Sequence, residues 1–236
     1  MRDEVESYDT YPFNLPVVRT LKRLEFDPCI TFLVGENGSG KSTLLESIAV
    51  AWGFNAEGGG KDWGFTTKES HSALFSYLKL ARGISKPKDG YFLRAESFYN
   101  LATAADNVSA TRFGNKSLHE QSHGESFLSL LMHRFEGKGL YILDEPEAAL
   151  SPSRQMSMLV RMHDLIKGGS QFIIATHSPI LMAYPDALIL ECSSTGMRRV
   201  AYEETENYQL TKQFINNPQR MLRELLREDS GKISDD

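Results

Sequence analysis

Cysteine is scarce in this chain of 236 residues. Cys29 and Cys192 are its only two and lie 163 positions apart, which excludes a disulfide framework and the paired CxxC spacing of a zinc ribbon. Long hydrophobic runs are missing as well. Phe172-Ile173-Ile174-Ala175 and Ala187-Leu188-Ile189-Leu190 fall far short of the roughly 18 apolar residues that read as a bilayer span. The opening Met1-Arg2-Asp3-Glu4-Val5-Glu6 has neither the basic start nor the apolar core of a secretory signal. Positive charge is not in excess: 26 basic against 31 acidic residues leave a formal charge of −5, which argues against general attraction to nucleic acid or anionic lipid. No internal repeat, low-complexity tract or sustained heptad pattern interrupts the chain. These absences point to a globular chain in the reducing cytoplasm, without direct membrane insertion. At 41% hydrophobic and 24% charged residues it has the composition for a sizeable core. Its length fits a single domain over residues 1–236.

The pattern of short apolar runs predicts an α/β fold. Cys29–Val34 reads as a buried strand and Lys41–Trp52 as a helix with Leu44, Leu45, Ile48 and Ala49 on one side. Five glycines among polar residues mark 53–70 as a flexible connection. A short helix over Ala73–Arg82, a strand at Tyr91–Ala95, a polar loop at Asp106–Lys116 and a helix starting near His123 follow, so that about 65–135 reads as an inserted, partly helical lobe. Leu140–Leu143 and Gln171–Ala175, with a helical stretch Ser153–Lys167 between them, form a βαβ unit. Ala187–Cys192 and Arg198–Tyr202 are strand candidates around a turn at Ser193–Gly196, and a charged amphipathic tail closes the chain.

Gly35-Glu36-Asn37-Gly38-Ser39-Gly40-Lys41-Ser42 matches the P-loop pattern G-x-x-x-x-G-K-[ST] between a strand and a helix. The glycines let several amide N–H groups converge on phosphate oxygens at the positive end of the helix that opens at Lys41. Lys41 is then expected to reach the β- and γ-phosphates, Ser42 to place its hydroxyl on Mg²⁺, and Thr43 to bond the α-phosphate. Gly38-Ser39-Gly40 also begins a dinucleotide-type G-x-G-x-x-G, but Thr43 stands where the third glycine belongs. The strand Leu140–Leu143 ends in Asp144-Glu145, one carboxylate for the metal shell and one to orient or deprotonate an attacking water. His177, at the end of the next strand, is placed to approach the γ-phosphate and that water. A competing pattern is His119-Glu120-Gln121-Ser122-His123, which matches the H-E-x-x-H of zinc proteases. Ser122 and Glu125, however, form an S-x-x-E capping box that would start a helix between the two histidines, and serine stands at 126 and 129 where a longer zinc motif would continue.

In that order, the P-loop, the strand ending in Asp144-Glu145 and His177 resemble the ABC-type ATPases. Ser122-His123-Gly124-Glu125 resembles the S-G-G-E signature of chromosome-maintenance and DNA-repair heads, with His123 in place of the first glycine. Asp144-Glu145-Pro146-Glu147-Ala148-Ala149-Leu150-Ser151-Pro152 looks like the form found in stand-alone ATPases of the RecF, SMC and overcoming-lysogenization-defect groups, where transporter subunits usually show D-E-P-T-x-x-L-D. The resemblance implies a P-loop NTPase fold of ABC type, with a mainly parallel central sheet, flanking helices and a small N-terminal β region. It implies ATP hydrolysis with Mg²⁺ by Lys41, Glu145 and His177, with Ser42 and Asp144 at the metal. It further implies an ATP-dependent homodimer in which Ser122, Gly124 and Ser151 complete the partner's site, with Glu125 also at the nucleotide, an attached protein or nucleic acid such as DNA as the object moved, and a transporter subunit or a slow nucleotide-gated binding module as alternatives. No glutamine precedes Gln121, so Glu96, after the strand Tyr91–Ala95, stands where the family has a metal-facing glutamine. Tyr11 or Phe13 is the candidate for stacking on the adenine. Arg19, Lys22, Arg23, Arg198, Arg199, Arg220, Arg223 and Arg227 are candidates for a DNA path.

Overall fold

A computed structural model of the chain describes residues 5, 7–60, 72–83, 86–94 and 123–226. Its centre is a six-stranded sheet of β1 (Ile30–Val34), β2 (Asp89–Arg94), β3 (Gly139–Asp144), β4 (Gln171–Ala175), β5 (Leu188–Ser193) and β6 (Gly196–Val200), in the order β2-β3-β4-β1-β5-β6. All neighbours are parallel except the β5–β6 hairpin at one edge. Strands covered on both faces need no polar side, which is why β1 reads Ile-Thr-Phe-Leu-Val and is buried throughout.

Side chains alternate between two cores. Tyr91, Leu93, Tyr141 and Leu143 join Phe32, Phe172 and Ile174 on the face covered by α4 (His123–His133) and α5 (Pro152–Lys167). Phe92, Leu140, Ile142 and Ile173 face Leu44, Leu45 and Ile48 of α2 (Lys41–Trp52). Period-two alternation thus gives each strand one row per face. In α5 the buried Met158, Met162 and Leu165 recur at helical spacing. The remaining helices are α1 (Pro16–Arg19), α3 (Leu74–Tyr77), α6 (Pro179–Met182), α7 (Glu206–Asn216) and α8 (Pro218–Leu225).

Three expectations need correction. Among the described residues no strand precedes Ile30, and α1 stands where a small N-terminal β region was expected. Pro12 and Pro16 remove ladder donors, while Pro16 suits the first helical position. The helix expected over Ala73–Arg82 ends at Tyr77, beyond which Arg82 lies over the Trp52 ring at 4.4 Å, so a tertiary contact holds the segment along α2. The connection 53–70 is packed where it is described: Gly59 and Phe92 exchange both backbone hydrogen bonds, and Gly58–Gly60 are buried. Residues 61–70 and most of the lobe at 65–135, the Asp106–Lys116 loop included, lie outside the described residues.

At the sheet edge opposite the P-loop, Asp89 is a hub. It accepts from Arg134 Nη1 at 2.8 Å, from Tyr141 Oη at 2.7 Å and from Glu136 N at 3.2 Å. Burial alone would raise its carboxyl, but the bonds from Arg134 and Tyr141 hold it below the ordinary carboxylate value. Asp89→Asn strands a half-buried guanidinium and is expected to destabilise the fold by about 3 kcal/mol in denaturant titrations. The stabilisation is complete above the usual carboxylate range and is lost as pH falls through the depressed value, so the gap between wild type and variant should close on acidification. A gap that is constant with pH would contradict this account.

Candidate functional site

Because β1, β3 and β4 are parallel, their carboxyl ends meet at one edge, and the segments that follow them are brought together there. The P-loop leaves β1 at Gly35, whose φ of +130° and position against Cys192 admit no side chain: a Cβ would lie 2.1 Å from the Cys192 carbonyl oxygen. Gly40, at φ +95°, turns the chain into α2 while pressed against Val17 and Leu15. With glycine at its N-cap, α2 has no side chain closing its first turn, so its amides are left for an anion. Glu36, Asn37 and Gly38 form the exposed tip, and Ser39 Oγ is a buried atom without a hydrogen-bond partner among the described residues.

Lys41 is 3% exposed, and its Nζ donates to Gly35 O and Glu36 O at 2.8 Å each. Burial draws the ammonium below the ordinary lysine value, against the pull of Cys192, Glu145, Asp144 and Glu147. Ser42 Oγ donates to Asp144 Oδ1 at 3.0 Å, which brings two hard oxygen ligands together as a Mg²⁺ site requires. Thr43 Oγ1 lies 3.2 Å from Tyr11 Oη. Tyr11 is exposed beside the loop, whereas Phe13 is buried edge-on against Tyr77, so only Tyr11 is free to meet a base.

Glu145 has φ +50°, a left-handed conformation that a glutamate rarely adopts, and its amide is fixed to Ala175 O at 2.9 Å. Its Oε1 is 3.6 Å from His177 Nε2. The strand order explains this meeting: β4 lies between β1 and β3, and delivers His177 between the P-loop and the carboxylates. Two holders of His177 were not visible in the sequence. Glu147 Oε1 accepts from His177 N at 2.5 Å, and Asn207 Nδ2, on α7, donates to His177 O at 2.8 Å. Glu147 belongs to the segment Asp144–Pro152, though its bond to His177 carries no sequence signal; Asn207 carries no local signal.

Of the signature residues, Ser122 lies outside the described residues, as does Glu96. Gly124 sits in the first turn of α4 so close to the segment after β3 that a Cβ would be 2.6 Å from Ala149 O. Glu125 pairs with Arg154 at 3.1 Å, its capping-box partner Ser122 lying outside the described residues, and Ser151 is exposed at the start of α5. His119–Ser122 of the zinc-like pattern are outside the described residues, and among those described no three His, Cys, Asp or Glu side chains cluster as a metal would need. Of the basic residues, Arg23 pairs with Glu25, Arg198 with Glu191 and Arg220 with Glu224, and Arg227 is outside the described residues. No described helix is long and apolar enough to cross a membrane.

Two family models match the chain in succession: "AAA domain" over residues 14–117, and "AAA domain, putative AbiEii toxin, Type IV TA system" over residues 117–183. Together they span residues 14–183, and the chain carries an AAA-type P-loop domain. Among curated proteins, this domain is 27% identical over 177 residues to "ABC transporter G family member STR2" of Medicago truncatula, covering 64% of this chain and 24% of the transporter. It is 68% identical over 25 residues to the DNA replication and repair protein RecF of Haemophilus influenzae, 11% of this chain and 7% of RecF. A "Putative ABC transporter ATP-binding protein" of Pyrococcus furiosus matches the ATPase domain at 24% identity over 92% of this chain and 95% of its own length. The chain thus spans a quarter or less of the first two relatives.

Proposed function

We infer that the chain binds ATP with Mg²⁺, hydrolyses it, and closes with a second copy around the nucleotide to drive a partner protein, with DNA maintenance or bacterial defence as the setting. The observation that carries this reading is the convergence at one sheet edge of Lys41, Ser42, Asp144, Glu145 and His177. Mg²⁺, held by Ser42 and Asp144, would supply charge neutralisation for the phosphates. Lys41 would exchange its two carbonyl acceptors for phosphate oxygens. Glu145 is placed to take a proton from water, and His177, 3.6 Å away, to keep that carboxylate and the water oriented. The exposed Ser151 and Glu125, the latter beside the buried Gly124 at the amino end of α4, would be the surface that a second copy brings to the nucleotide, with Glu96 as a further metal-facing group.

The short RecF match and the toxin–antitoxin family description favour maintenance or defence. The longer matches to ABC transporter proteins favour the second reading, an ATP-binding subunit that serves a transporter. Light scattering of the full chain with and without a non-hydrolysable ATP analogue and Mg²⁺, alone and with duplex DNA, tests the proposal. The expected result is a doubling of mass that needs the nucleotide, and a further increase with DNA. A monomer under every condition would sink the homodimer, and a dimer indifferent to DNA would move the weight to the transporter reading.

A further inference from the structure

The metal end of the site holds a fixed cation of its own. β2 and β3 pair in register so that Arg94 lies directly beside Asp144, and strand alternation puts both on the face of α2, in the same rows as Phe92 and Ile142. Ser42 and Glu46, four residues apart on α2, face those same strand ends. Ser42 Oγ is 3.0 Å from Asp144 Oδ1, Arg94 Nε is 3.7 Å from Asp144 Oδ2, and Arg94 Nη1 is 2.6 Å from Glu46 Oε2. Glu46 is itself held, its other oxygen accepting from Ser72 N at 3.3 Å. The three charged side chains are 8%, 22% and 12% exposed for Asp144, Arg94 and Glu46, so water screens them weakly.

A guanidinium stays charged at any pH the protein survives, so this positive charge cannot be shed when another cation arrives. It must be moved. Asp144 offers one oxygen to Ser42 and the other to Arg94, and a divalent ion bound there competes with the arginine for the same carboxylate. Glu46 already holds the far nitrogen of that guanidinium at the shorter distance, which provides the arginine with a second anion to rest on.

Resting on the reading of Ser42 and Asp144 as the metal end, we propose that Arg94 is the resident counter-ion of Asp144, displaced toward Glu46 when a divalent cation binds, and that this pair sets the concentration of divalent cation the site requires.

The test is a Mn²⁺ titration of the full chain, with saturating ADP, followed by electron paramagnetic resonance of free Mn²⁺. Arg94→Met is expected to lower the half-saturating Mn²⁺ about tenfold, and Glu46→Gln to raise it about threefold, by removing an anion that draws the arginine away from Asp144. In the double variant the effect of Glu46→Gln should vanish, because it acts through Arg94. Additive effects in the double variant, or an Arg94→Met titration within twofold of wild type, would overturn the proposal. If Arg94→Met does not fold, Glu46→Gln decides alone: an unchanged Mn²⁺ requirement refutes the counter-ion. ADP binding in a metal chelator is measured beforehand. Absence of binding both there and with excess Mn²⁺ overturns the nucleotide site and the counter-ion with it, whereas ADP binding with unmoved titrations overturns the counter-ion only.

Discussion

With Lys41 replaced by alanine, the chain is expected to bind a fluorescent ATP analogue at least about 100-fold more weakly than wild type, a loss of about 3 kcal/mol. The ammonium is buried, and in the structure it is tied to two carbonyls of the loop it serves. A phosphate offers it a charged acceptor in place of two neutral ones, and charge-assisted bonds are roughly twice as strong. Apart from those two bonds the loop is held by packing, Gly35 against Cys192 and Gly40 against Val17 and Leu15, so the variant should still fold. A second signature is pH. Because burial draws the Lys41 ammonium below the ordinary lysine value, wild-type affinity should fall as pH rises through that lowered value, and the alanine variant should show no such fall. Affinity within threefold of wild type would remove Lys41 from the phosphate site.

Glu145→Gln is the complementary case. Turnover in a phosphate-release assay is expected to drop by about 100-fold or more, the usual size of a general-base contribution, with nucleotide affinity nearly unchanged. Glutamine matches glutamate in shape and can remain at φ +50°, with its amide on Ala175 O, so the change removes basicity and leaves the turn in place. The doubled mass expected with the analogue should then persist with ATP itself. Hydrolysis at the native rate would show that Glu145 is not the base.

Much of this arrangement is legible in the sequence, and for a physical reason. The P-loop, the carboxylates after β3 and the histidine after β4 each depend on a local pattern, a buried run followed at once by a polar turn, and strand and helix bounds such as 41–52 and 171–175 follow from that pattern alone. What sequence reading misses is held across distance. Arg94 reaches Glu46 over 48 positions and Asn207 reaches His177 over 30, and neither residue type is unusual where it stands. The glycines of 53–60 read as slack because a sequence shows their freedom and not the partner strand, Phe92, that takes it away.

The alternation of side chains along β2 and β3 works as a reading frame. On β3, Ile142 and Asp144 share one frame and Tyr141 and Leu143 the other, and Phe92 and Arg94 repeat the first on β2. A single residue inserted ahead of Asp144 within β3 would swap the two. The carboxylate would be turned into the layer under α4 and α5, and an apolar neighbour would take its seat beside Ser42. Such a frameshift in space leaves every functional residue in the chain and dissolves the site that they make.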